Sequence, residues 1–339
     1  MDSPIFEKKN VLVTGGAGFI GSHLCERLLK EAKVICVDDF SNSDPSNINH
    51  LLQYPDFEFI NYDISKPLDI EQFEELNKFK IKFQGIQEIY HLACPTSPKD
   101  FEKLKMNTLA ANSLSMFNTL DLAVRYKAKY VYASSSVVYG DAANSNIFKE
   151  TDLGIVNHLS ERACYDEGKK FAETCVETYH QVYGVDAKIA RVFTTYGPRM
   201  RLFQGLLIPD FIVSAIEGEP LVVYGDEEFS TSLCYVDDVV TAFTKLMSSD
   251  PEVKVANIGD DKIVKIADVA RKIIEKTNSS SKISFEPSIL FLSKKGGANL
   301  TYVKDVLGWM PLVRLEDGLD KTIEYVVANK EALLFNHRR

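Results

Sequence analysis

Long hydrophobic runs are missing from the sequence: no stretch approaches the ~20 consecutive apolar residues that a membrane-spanning helix requires. The first seven residues, MDSPIFE, lack the cationic flank and the apolar core of a secretory leader. A basic excess is missing too, since 39 Lys and Arg stand against 48 Asp and Glu, a net charge of -9. We therefore expect a cytoplasmic protein whose partners include neither nucleic acid nor a membrane.

Cysteine and histidine are sparse and scattered. The six cysteines show no CxxC spacing, and the six histidines have no spacing that is typical of metal ligands. We expect free thiols in a reducing compartment and no metal site. The remaining composition is ordinary for a globular protein, with 45% hydrophobic and 26% charged residues, and 339 residues suffice for two lobes.

Short β-rich apolar runs alternate with helical stretches from Asn10 to about Thr195. This alternation predicts βαβ units and an α/β fold with a Rossmann-type doubly wound parallel sheet. The predicted strands are Val11–Thr14, Val34–Asp38, Phe57–Tyr62, Glu88–Ala93, Tyr130–Ser134 and Ala187–Phe193. The predicted helices are Gly18–Lys30, Leu104–Tyr126 and Arg162–Tyr183.

The alternation ends after Tyr196, where glycine and proline separate shorter elements, with helices predicted at Ile266–Lys276 and Leu315–Ala328. We expect a dinucleotide-binding domain over residues 1–195, rejoined by about 233–250. A smaller mixed α/β substrate lobe is expected over residues 196–339. This lobe would lie against the carboxyl ends of the sheet, where open α/β sheets bind ligands.

A glycine-rich segment, TGGAGFIGSHL, follows the first predicted strand and opens a helix. Gly15, Gly18 and Gly21 permit a tight turn and a close backbone approach to a dinucleotide pyrophosphate. Asp38 ends the next strand, seventeen residues after Gly21, where a carboxylate can hold the adenosine ribose hydroxyls. Because no Lys or Arg lies between Asp38 and His50 to receive a 2′-phosphate, the pattern favours NAD over NADP.

A tyrosine and a lysine lie four residues apart in the segment YDEGK, at Tyr165 and Lys169. On a helix both share one face, where the ammonium favours ionisation of a phenol whose free pKa is ~10. Ser135 closes an earlier strand and can hydrogen-bond the substrate oxygen that Tyr165 deprotonates. Taken alone, the serine cluster Ser134–Ser136 would more commonly be a turn. Together the three residues predict removal of a hydroxyl proton while hydride leaves for NAD.

The GxxGxxG loop and the Tyr165/Lys169 pair resemble the extended short-chain dehydrogenase/reductases, and further segments narrow the resemblance. HLACPTSP, VYGD, RACYDEGKKFAET, ARVFTTYGPRM, GEPLVVYGD and LGW are similar, in this order, to the UDP-glucuronate decarboxylases. That family implies tightly held NAD and a UDP-linked sugar that is transiently oxidised at its C4 hydroxyl. The resulting ketone lies β to the C6 carboxylate, so CO₂ leaves readily before hydride returns. The resemblance also implies a homodimer formed through the helices at 104–126 and 162–183.

The motifs and the resemblance together assign candidate residues to three groups. The catalytic candidates are Tyr165, Lys169 and Ser135. The cofactor-binding candidates are Gly15, Gly18, Phe19, Ile20, Gly21, Asp38, Asp63, Ile64, Leu92, Ala93, Asn112, Tyr165 and Lys169. The substrate-binding candidates are Pro95, Ser136, Thr194, Arg199, Val223 and Tyr224. Plainer alternatives are a polar core position for Asn112, a strand-end turn for Asp63 and a buried edge strand at Val223 and Tyr224.

The chain departs from the family pattern at polar and charged positions. Val137 stands where the family has a glutamate, and Thr231 stands where it has an arginine. Thr194 replaces an asparagine, and two further arginines fall on Leu206 and near Gly297. Because a hydrogen bond to a charged group contributes roughly 1.5–3 kcal/mol, the usual grip on a diphosphate is weakened. The candidates to replace these arginines are Arg199, Arg201, Lys294 and Lys295.

Three functions are compatible with this pattern. The first is a decarboxylase acting on UDP-glucuronate or a close relative, since a β-keto acid needs little help to lose CO₂. The second is a nucleotide-sugar 4-epimerase, because an apolar residue after the serines also resembles those enzymes. The third is a non-catalytic NAD-binding paralogue, against which the intact Ser135, Tyr165 and Lys169 count. We expect the first.

Overall fold

A seven-stranded parallel sheet forms the centre of the computed structural model, which describes residues 8–96, 101–140, 147–287 and 296–337. The strands are β1 (Lys9–Thr14), β2 (Ala32–Asp38), β3 (Phe57–Asn61), β4 (Glu88–His91), β5 (Lys129–Ser135), β6 (Ile147–Phe148), β7 (Ala187–Val192), β8 (Thr195–Tyr196), β9 (Leu221–Tyr224), β10 (Ser230–Ser232), β11 (Cys234–Tyr235), β12 (Val255–Ile258), β13 (Ile263–Lys265), β14 (Ile283–Glu286) and β15 (Gly297–Ala298). The helices are α1 (Phe19–Leu28), α2 (Ile81–Gln84), α3 (Phe101–Ala111), α4 (Leu114–Tyr126), α5 (Ala163–Tyr183), α6 (Leu207–Glu217), α7 (Val236–Ser248), α8 (Ile266–Lys276), α9 (Thr301–Leu307) and α10 (Leu315–His337).

The strand order across the central sheet is β3-β2-β1-β4-β5-β7-β12, and each neighbouring pair is parallel. The chain runs outward from β1 through β2 to β3 and then returns to β4 on the other side of β1. A crevice therefore forms at the carboxyl ends of β1 and β4, where the strand order reverses. The predicted Rossmann-type doubly wound α/β sheet is confirmed.

Both faces of the sheet are buried, which explains why its strands read as continuous apolar runs. In β1, Val11 and Val13 pack into the hydrophobic cluster on one face, and Leu12 packs into the cluster on the other face. The alternation follows from the two-residue period of a strand. The result is a rigid platform whose carboxyl edge carries the loops that could bind ligands.

The predicted elements of the first half agree with the structure, with one exception. All six strands are present, and their ends differ from the predicted ends by at most two residues. The single helix predicted over Leu104–Tyr126 is wrong, because α3 ends at Ala111 and α4 begins at Leu114. Asn112 Nδ2 donates to the Thr108 carbonyl at 2.8 Å, and Ser113 Oγ donates to the Leu109 carbonyl at 2.7 Å. Side-chain bonds of this kind compete with the continuous helical ladder.

The second half of the chain builds smaller elements and then returns to the sheet. Helix α6 packs against α8 and α10, and the short pairs β9–β14 and β10–β13 lie beside them. Helix α7 packs against β5 and β7, and β12 pairs with β7. The predicted helix Ile266–Lys276 is confirmed, while the helix predicted over Leu315–Ala328 continues to His337. The division into two domains near residue 195, with a return at 233–250, stays a prediction.

Candidate active site

A cavity of about 660 Å³ lies at the carboxyl ends of β1, β2, β4 and β5. Its other wall comes from the second half of the chain, including Thr194, Leu206 and Thr231. Most of the residues predicted from the sequence line this cavity. They are Gly15, Gly18, Phe19, Ile20, Gly21, Asp38, Asp63, Ile64, Leu92, Ala93, Pro95, Ser135, Tyr165, Lys169, Thr194 and Arg199.

Four predicted residues lie outside the cavity wall. Asn112 is buried and accepts a hydrogen bond from the Tyr132 hydroxyl at 2.9 Å, as a polar core residue does. Ser136 and Val223 are buried, and Tyr224 lies on β9, which pairs with β14. Their assignments to cofactor and substrate stay predictions.

The glycine segment forms a tight turn between β1 and α1. Gly15 adopts φ +69°, and its N–H donates to the Val37 carbonyl at 2.8 Å. A Cβ at Gly15 would lie 2.7 Å from the Ala93 nitrogen, and a Cβ at Gly21 would lie 2.1 Å from the Gly15 carbonyl oxygen. The first amides of α1 have no partner within the helix and lie beside the cavity. This cradle fits a dinucleotide pyrophosphate.

Asp38 ends β2 at the cavity wall and is buried. Its Oδ1 accepts hydrogen bonds from the Phe40 nitrogen at 2.9 Å and the Ser43 hydroxyl at 2.6 Å. Its Oδ2 accepts one from the Ala17 nitrogen at 3.0 Å and retains a lone pair for a ribose hydroxyl. Burial raises the pKa of Asp38, although these hydrogen bonds oppose the rise.

Asp63 follows β3 and lines the cavity together with Ile64. Its Oδ1 accepts hydrogen bonds from the Ser65 nitrogen at 3.0 Å and the Ser65 hydroxyl at 2.6 Å. These contacts form the strand-end turn that is the plainer interpretation of this position. Because the same residues face the cavity, the two interpretations are compatible.

Tyr165, Lys169 and Ser135 come together at the cavity. Tyr165 and Lys169 lie one turn apart on α5, and Ser135 is the last residue of β5. The side chains of Ser135 and Tyr165 both line this cavity. Lys169 Nζ donates to the Ala133 carbonyl at 2.8 Å and lies 5.8 Å from the centre of the Tyr165 ring. This geometry can transfer a proton to or from a hydroxyl that is held beside Ser135 and Tyr165.

In the protein without NAD, the pKa of the Tyr165 phenol lies above its ordinary value. Burial raises the pKa of Tyr165, and Cys94 adds to the rise, while Ser135 and Arg162 oppose it. Burial also lowers the pKa of Lys169, which weakens the help that its charge can give. The predicted lowering by Lys169 together with bound NAD stays a prediction, while burial raises the pKa of Tyr165 in the protein without NAD.

A partly buried network behind the candidate catalytic residues was missed in the sequence. Ser134 Oγ donates to Glu173 Oε1 at 2.5 Å, and Arg191 Nη2 donates to Glu173 Oε2 at 2.8 Å. Arg191 Nη1 also donates to the Tyr139 hydroxyl at 2.9 Å. Glu173 follows Lys169 by four residues, so the helical spacing was an available signal. Arg191 could not be found in this way, because it reaches Glu173 only through the pairing of β5 with β7.

The positions that depart from the resembled family carry no charge at the cavity. Val137 is buried directly after β5 and does not belong to the cavity wall. The Thr194 and Thr231 hydroxyl oxygens lie 3.3 Å apart, and Leu206 lines the same wall. A Cβ at Gly297 would lie 2.9 Å from Ile147 Cδ1. Of the candidate replacements, Arg199 and Arg201 line the cavity, whereas Lys294 and Lys295 lie outside the described residues.

The described part of the chain was also searched for metal and membrane features. In residues 8–96, 101–140, 147–287 and 296–337, no three His, Cys, Asp or Glu side chains cluster as metal ligands. None of the helices in these ranges combines the length and the apolarity that crossing a bilayer requires. All six cysteines are free thiols.

The chain is similar to known proteins over nearly its whole length. The model of the NAD dependent epimerase/dehydratase family matches residues 11–259. UDP-glucuronic acid decarboxylase 1 of Xenopus tropicalis is 38% identical over 320 residues, which cover 94% of this chain and 72% of that protein. UDP-glucuronic acid decarboxylase 1 of Arabidopsis thaliana is 36% identical, with 94% and 69% covered.

Solved structures of similar shape include two sugar-nucleotide epimerases. UDP-glucuronic acid 4-epimerase from Bacillus cereus, in complex with UDP-glucuronic acid and NAD, has a TM-score of 0.81 and 28% identity, covering 94% of this chain and 99% of that chain. UDP-glucose 4-epimerase from Thermotoga maritima, with UDP-glucose, has a TM-score of 0.83 and 26% identity, covering 95% and 99%.

Proposed function

The chain belongs to the NAD dependent epimerase/dehydratase family, and we propose that it decarboxylates UDP-glucuronate through transient oxidation at C4. One observation carries the proposal: Ser135, Tyr165 and Lys169 meet in the cavity that the glycine turn also lines. The relatives named UDP-glucuronic acid decarboxylase, which match 94% of the chain, support this choice of substrate.

The catalytic residues have distinct tasks in this proposal. NAD, when bound, accepts hydride from the sugar C4 carbon and later returns it, so the complete reaction has no net redox change. Tyr165 takes the proton of the C4 hydroxyl, and Ser135 holds the same oxygen through a hydrogen bond. Lys169, fixed by the Ala133 carbonyl at 2.8 Å, supplies positive charge beside the phenol.

Loss of CO₂ places little further demand on the protein. The C4 ketone lies β to the C6 carboxylate, so the C5–C6 bond breaks and its electron pair moves toward the ketone oxygen. The Ser135 hydroxyl is placed to hydrogen-bond that oxygen as negative charge develops on it. Water then supplies a proton to C5 in place of the lost carboxylate, and Tyr165 returns its proton to the C4 oxygen. Val137 takes no part in these transfers, because its side chain has no proton to give.

A 4-epimerase is the second candidate, and a specific observation favours it. The position of the decarboxylases' glutamate is the buried Val137, and Thr231 replaces an arginine near the reacting sugar. Epimerisation needs only oxidation, rotation of the keto sugar and reduction from the other face. The solved structures of similar shape include enzymes named as 4-epimerases.

We also propose that the protein is a cytoplasmic homodimer. Six free thiols suit a reducing compartment. Helices α4 and α5 leave an apolar face in which Leu114, Phe117 and Phe171 are 54%, 42% and 46% exposed. The Phe117 and Phe171 rings meet edge to face at 6.4 Å, so the two helices present one continuous surface to a second copy.

The test is mass spectrometry of UDP-glucuronate after incubation with the NAD-loaded protein. We expect a nucleotide sugar lighter by one CO₂. Tyr165→Phe should reduce turnover by about 10²–10⁴-fold, since positioned acid–base catalysis contributes that much. Tyr54→Phe, at a half-exposed tyrosine outside the cavity, should leave turnover unchanged.

The alternatives give different products. A product of unchanged mass with an inverted C4 centre would replace the decarboxylase proposal by the epimerase. No product from UDP-glucuronate, together with no reduced-nicotinamide absorbance on adding it, would contradict both functions on this substrate.

A further inference from the structure

Three positions that carry arginine in the resembled family are uncharged in this chain, and this leaves the substrate diphosphate without its usual partners. Thr231 is buried and interacts with Thr194, and Leu206 is apolar. Gly297 has no room for a longer side chain, since a Cβ there would already lie 3.1 Å from the Asp260 carbonyl oxygen. A diphosphate removed from water needs cationic or N–H donors. Within the described part of the chain, we therefore looked for its counter-charge elsewhere in the cavity wall.

Among the residues that the structure describes, cationic side chains line the cavity at four positions, and three of them are already engaged. Arg162 Nη2 donates to Asp166 Oδ1 at 3.0 Å. Lys169 belongs to the catalytic trio. Arg199 forms an ion pair with Glu26. The four residues are Arg162, Lys169, Arg199 and Arg201.

Arg201 is the remaining cation of this wall, and within the described part of the chain it has neither a hydrogen bond nor an ion pair. Its side chain is partly exposed, while its neighbours Met200 and Leu202 are 8% and 5% exposed. The turn that follows is held by Asp210, whose carboxylate accepts from the Gly205 nitrogen at 3.0 Å. The backbone is thus anchored on both sides of an unengaged guanidinium.

We propose that Arg201 binds the diphosphate of the nucleotide-sugar substrate and replaces the arginines that the chain lacks. The inference rests on the proposed function, which supplies a nucleoside-diphosphate sugar as the ligand. A planar guanidinium can donate two parallel hydrogen bonds to phosphate oxygens. The cofactor pyrophosphate is served by the glycine turn at Gly15–Gly21, whereas Arg201 lies between β8 and α6, in the half of the chain that contributes Leu206 and Thr231 to the wall.

The test compares binding of UDP and of uridine to the NAD-loaded protein by isothermal titration calorimetry. Arg201→Met should weaken UDP binding by roughly ten- to hundredfold, the size expected for charge-assisted bonds to phosphate. Uridine affinity and NAD content should not change, because neither ligand uses Arg201. Arg201→Lys should restore part of the UDP affinity, since lysine keeps the positive charge but lacks the planar guanidinium that donates two parallel hydrogen bonds. Arg314→Met, an equal loss of charge at a highly exposed arginine, is the matched control.

Several results would overturn the inference. Native UDP affinity in Arg201→Met would do so, as would an equal loss of uridine affinity, which indicates general damage. Loss of NAD would assign Arg201 to the cofactor pyrophosphate. If Arg201→Met lost affinity for UDP-glucuronate but not for UDP, Arg201 would be assigned to the sugar carboxylate.

The inference and the proposed function can fail separately. The native protein is first titrated with UDP, dTDP, CDP and GDP. If another nucleotide binds and UDP does not, the UDP-sugar proposal is contradicted, and the Arg201 variants are measured with the nucleotide that binds against its own nucleoside. If none of the four binds the native protein, both are overturned.

Discussion

At the scale of single residues, Tyr165 shows that a sequence motif can specify which side chains are neighbours but not the pKa values that they have there. The sequence predicts Tyr165 beside Lys169, and the structure has the Lys169 nitrogen 5.8 Å from the ring centre. Burial nevertheless raises the pKa of Tyr165 and lowers that of Lys169, because both charged forms lose hydration. The bound nicotinamide's positive charge is the further contribution that would favour the phenolate.

A rate that depends on pH follows from this. The reactive form of Tyr165 is the phenolate, so kcat/KM should rise as the pH increases toward the pKa of Tyr165, which burial raises. On acidification the rate should fall by up to about tenfold per pH unit, because the phenolate fraction falls in that proportion. The measurement is initial rate against pH for the NAD-loaded protein, with Tyr165→Phe as the control that removes the dependence. A flat profile toward acid pH would exclude Tyr165 as the base.

At the scale of elements, α5 serves the site with one face and leaves another open. Lys169, Ala172 and Val176 are buried against the sheet, in the spacing that a helix packed on a core requires. Glu173 lies on the same inner side of α5 and accepts hydrogen bonds from Ser134 and Arg191. Phe171 points to the opposite side and meets Phe117 of α4. Helix α5, which carries Tyr165 and Lys169, therefore also supplies the apolar face that we assign to the homodimer.

A charge on that face should separate the subunits. Phe171→Glu would place a carboxylate in the centre of a surface that must lose water on association, at a cost of several kcal/mol. We expect half the native mass by light scattering at equal protein concentration, with NAD content retained. Phe83→Glu, on α2 at an 87% exposed position, should leave the mass unchanged. A native protein that is already monomeric would contradict the homodimer.

At the scale of the whole molecule, the cavity joins residues from both halves of the chain. The first half contributes the glycine turn, Asp38 and the three candidate catalytic residues, and the second half contributes Thr194 after β7, together with Leu206 and Thr231. Ligands bound here would link the two halves thermodynamically, because each ligand stabilises only the state in which both walls are formed.

NAD should therefore raise the melting temperature, and NADP should raise it less. At one hundred times its Kd, a ligand stabilises the folded state by about 2.7 kcal/mol. NADP would bring its 2′-phosphate toward the buried Asp38 carboxylate, and residues 39–49 contain no Lys or Arg. The measurement is the melting temperature of cofactor-free protein to which NAD or NADP is added at equal concentration.

Asp38→Asn should reduce the difference between the melting temperatures measured with NAD and with NADP. Asp56→Asn, near the surface, should leave that difference unchanged. Equal stabilisation of the native protein by both dinucleotides would contradict the role of Asp38.

The sequence by itself determined the features whose information is local. Apolar runs of the right length specified the six strands of the first half, because a strand buried on both faces must be continuously apolar. Gly15 and Gly21 specified the turn, since any side chain there would collide with backbone. The four-residue spacing of Tyr165 and Lys169 specified that they share a helix face.

Only the tertiary structure decided the features that depend on contacts between distant segments. The break between α3 and α4 depends on side-chain bonds at Asn112 and Ser113 that have no periodic signature. Arg191 reaches Glu173 through strand pairing. Only the structure distinguishes Arg201 from Arg199, because Arg199 forms an ion pair with Glu26 and Arg201 does not. Burial, which sets the Tyr165 pKa, exists only when the whole chain is folded. A local sequence pattern specifies which residues share one face of a helix or strand, whereas tertiary packing decides which residues they contact.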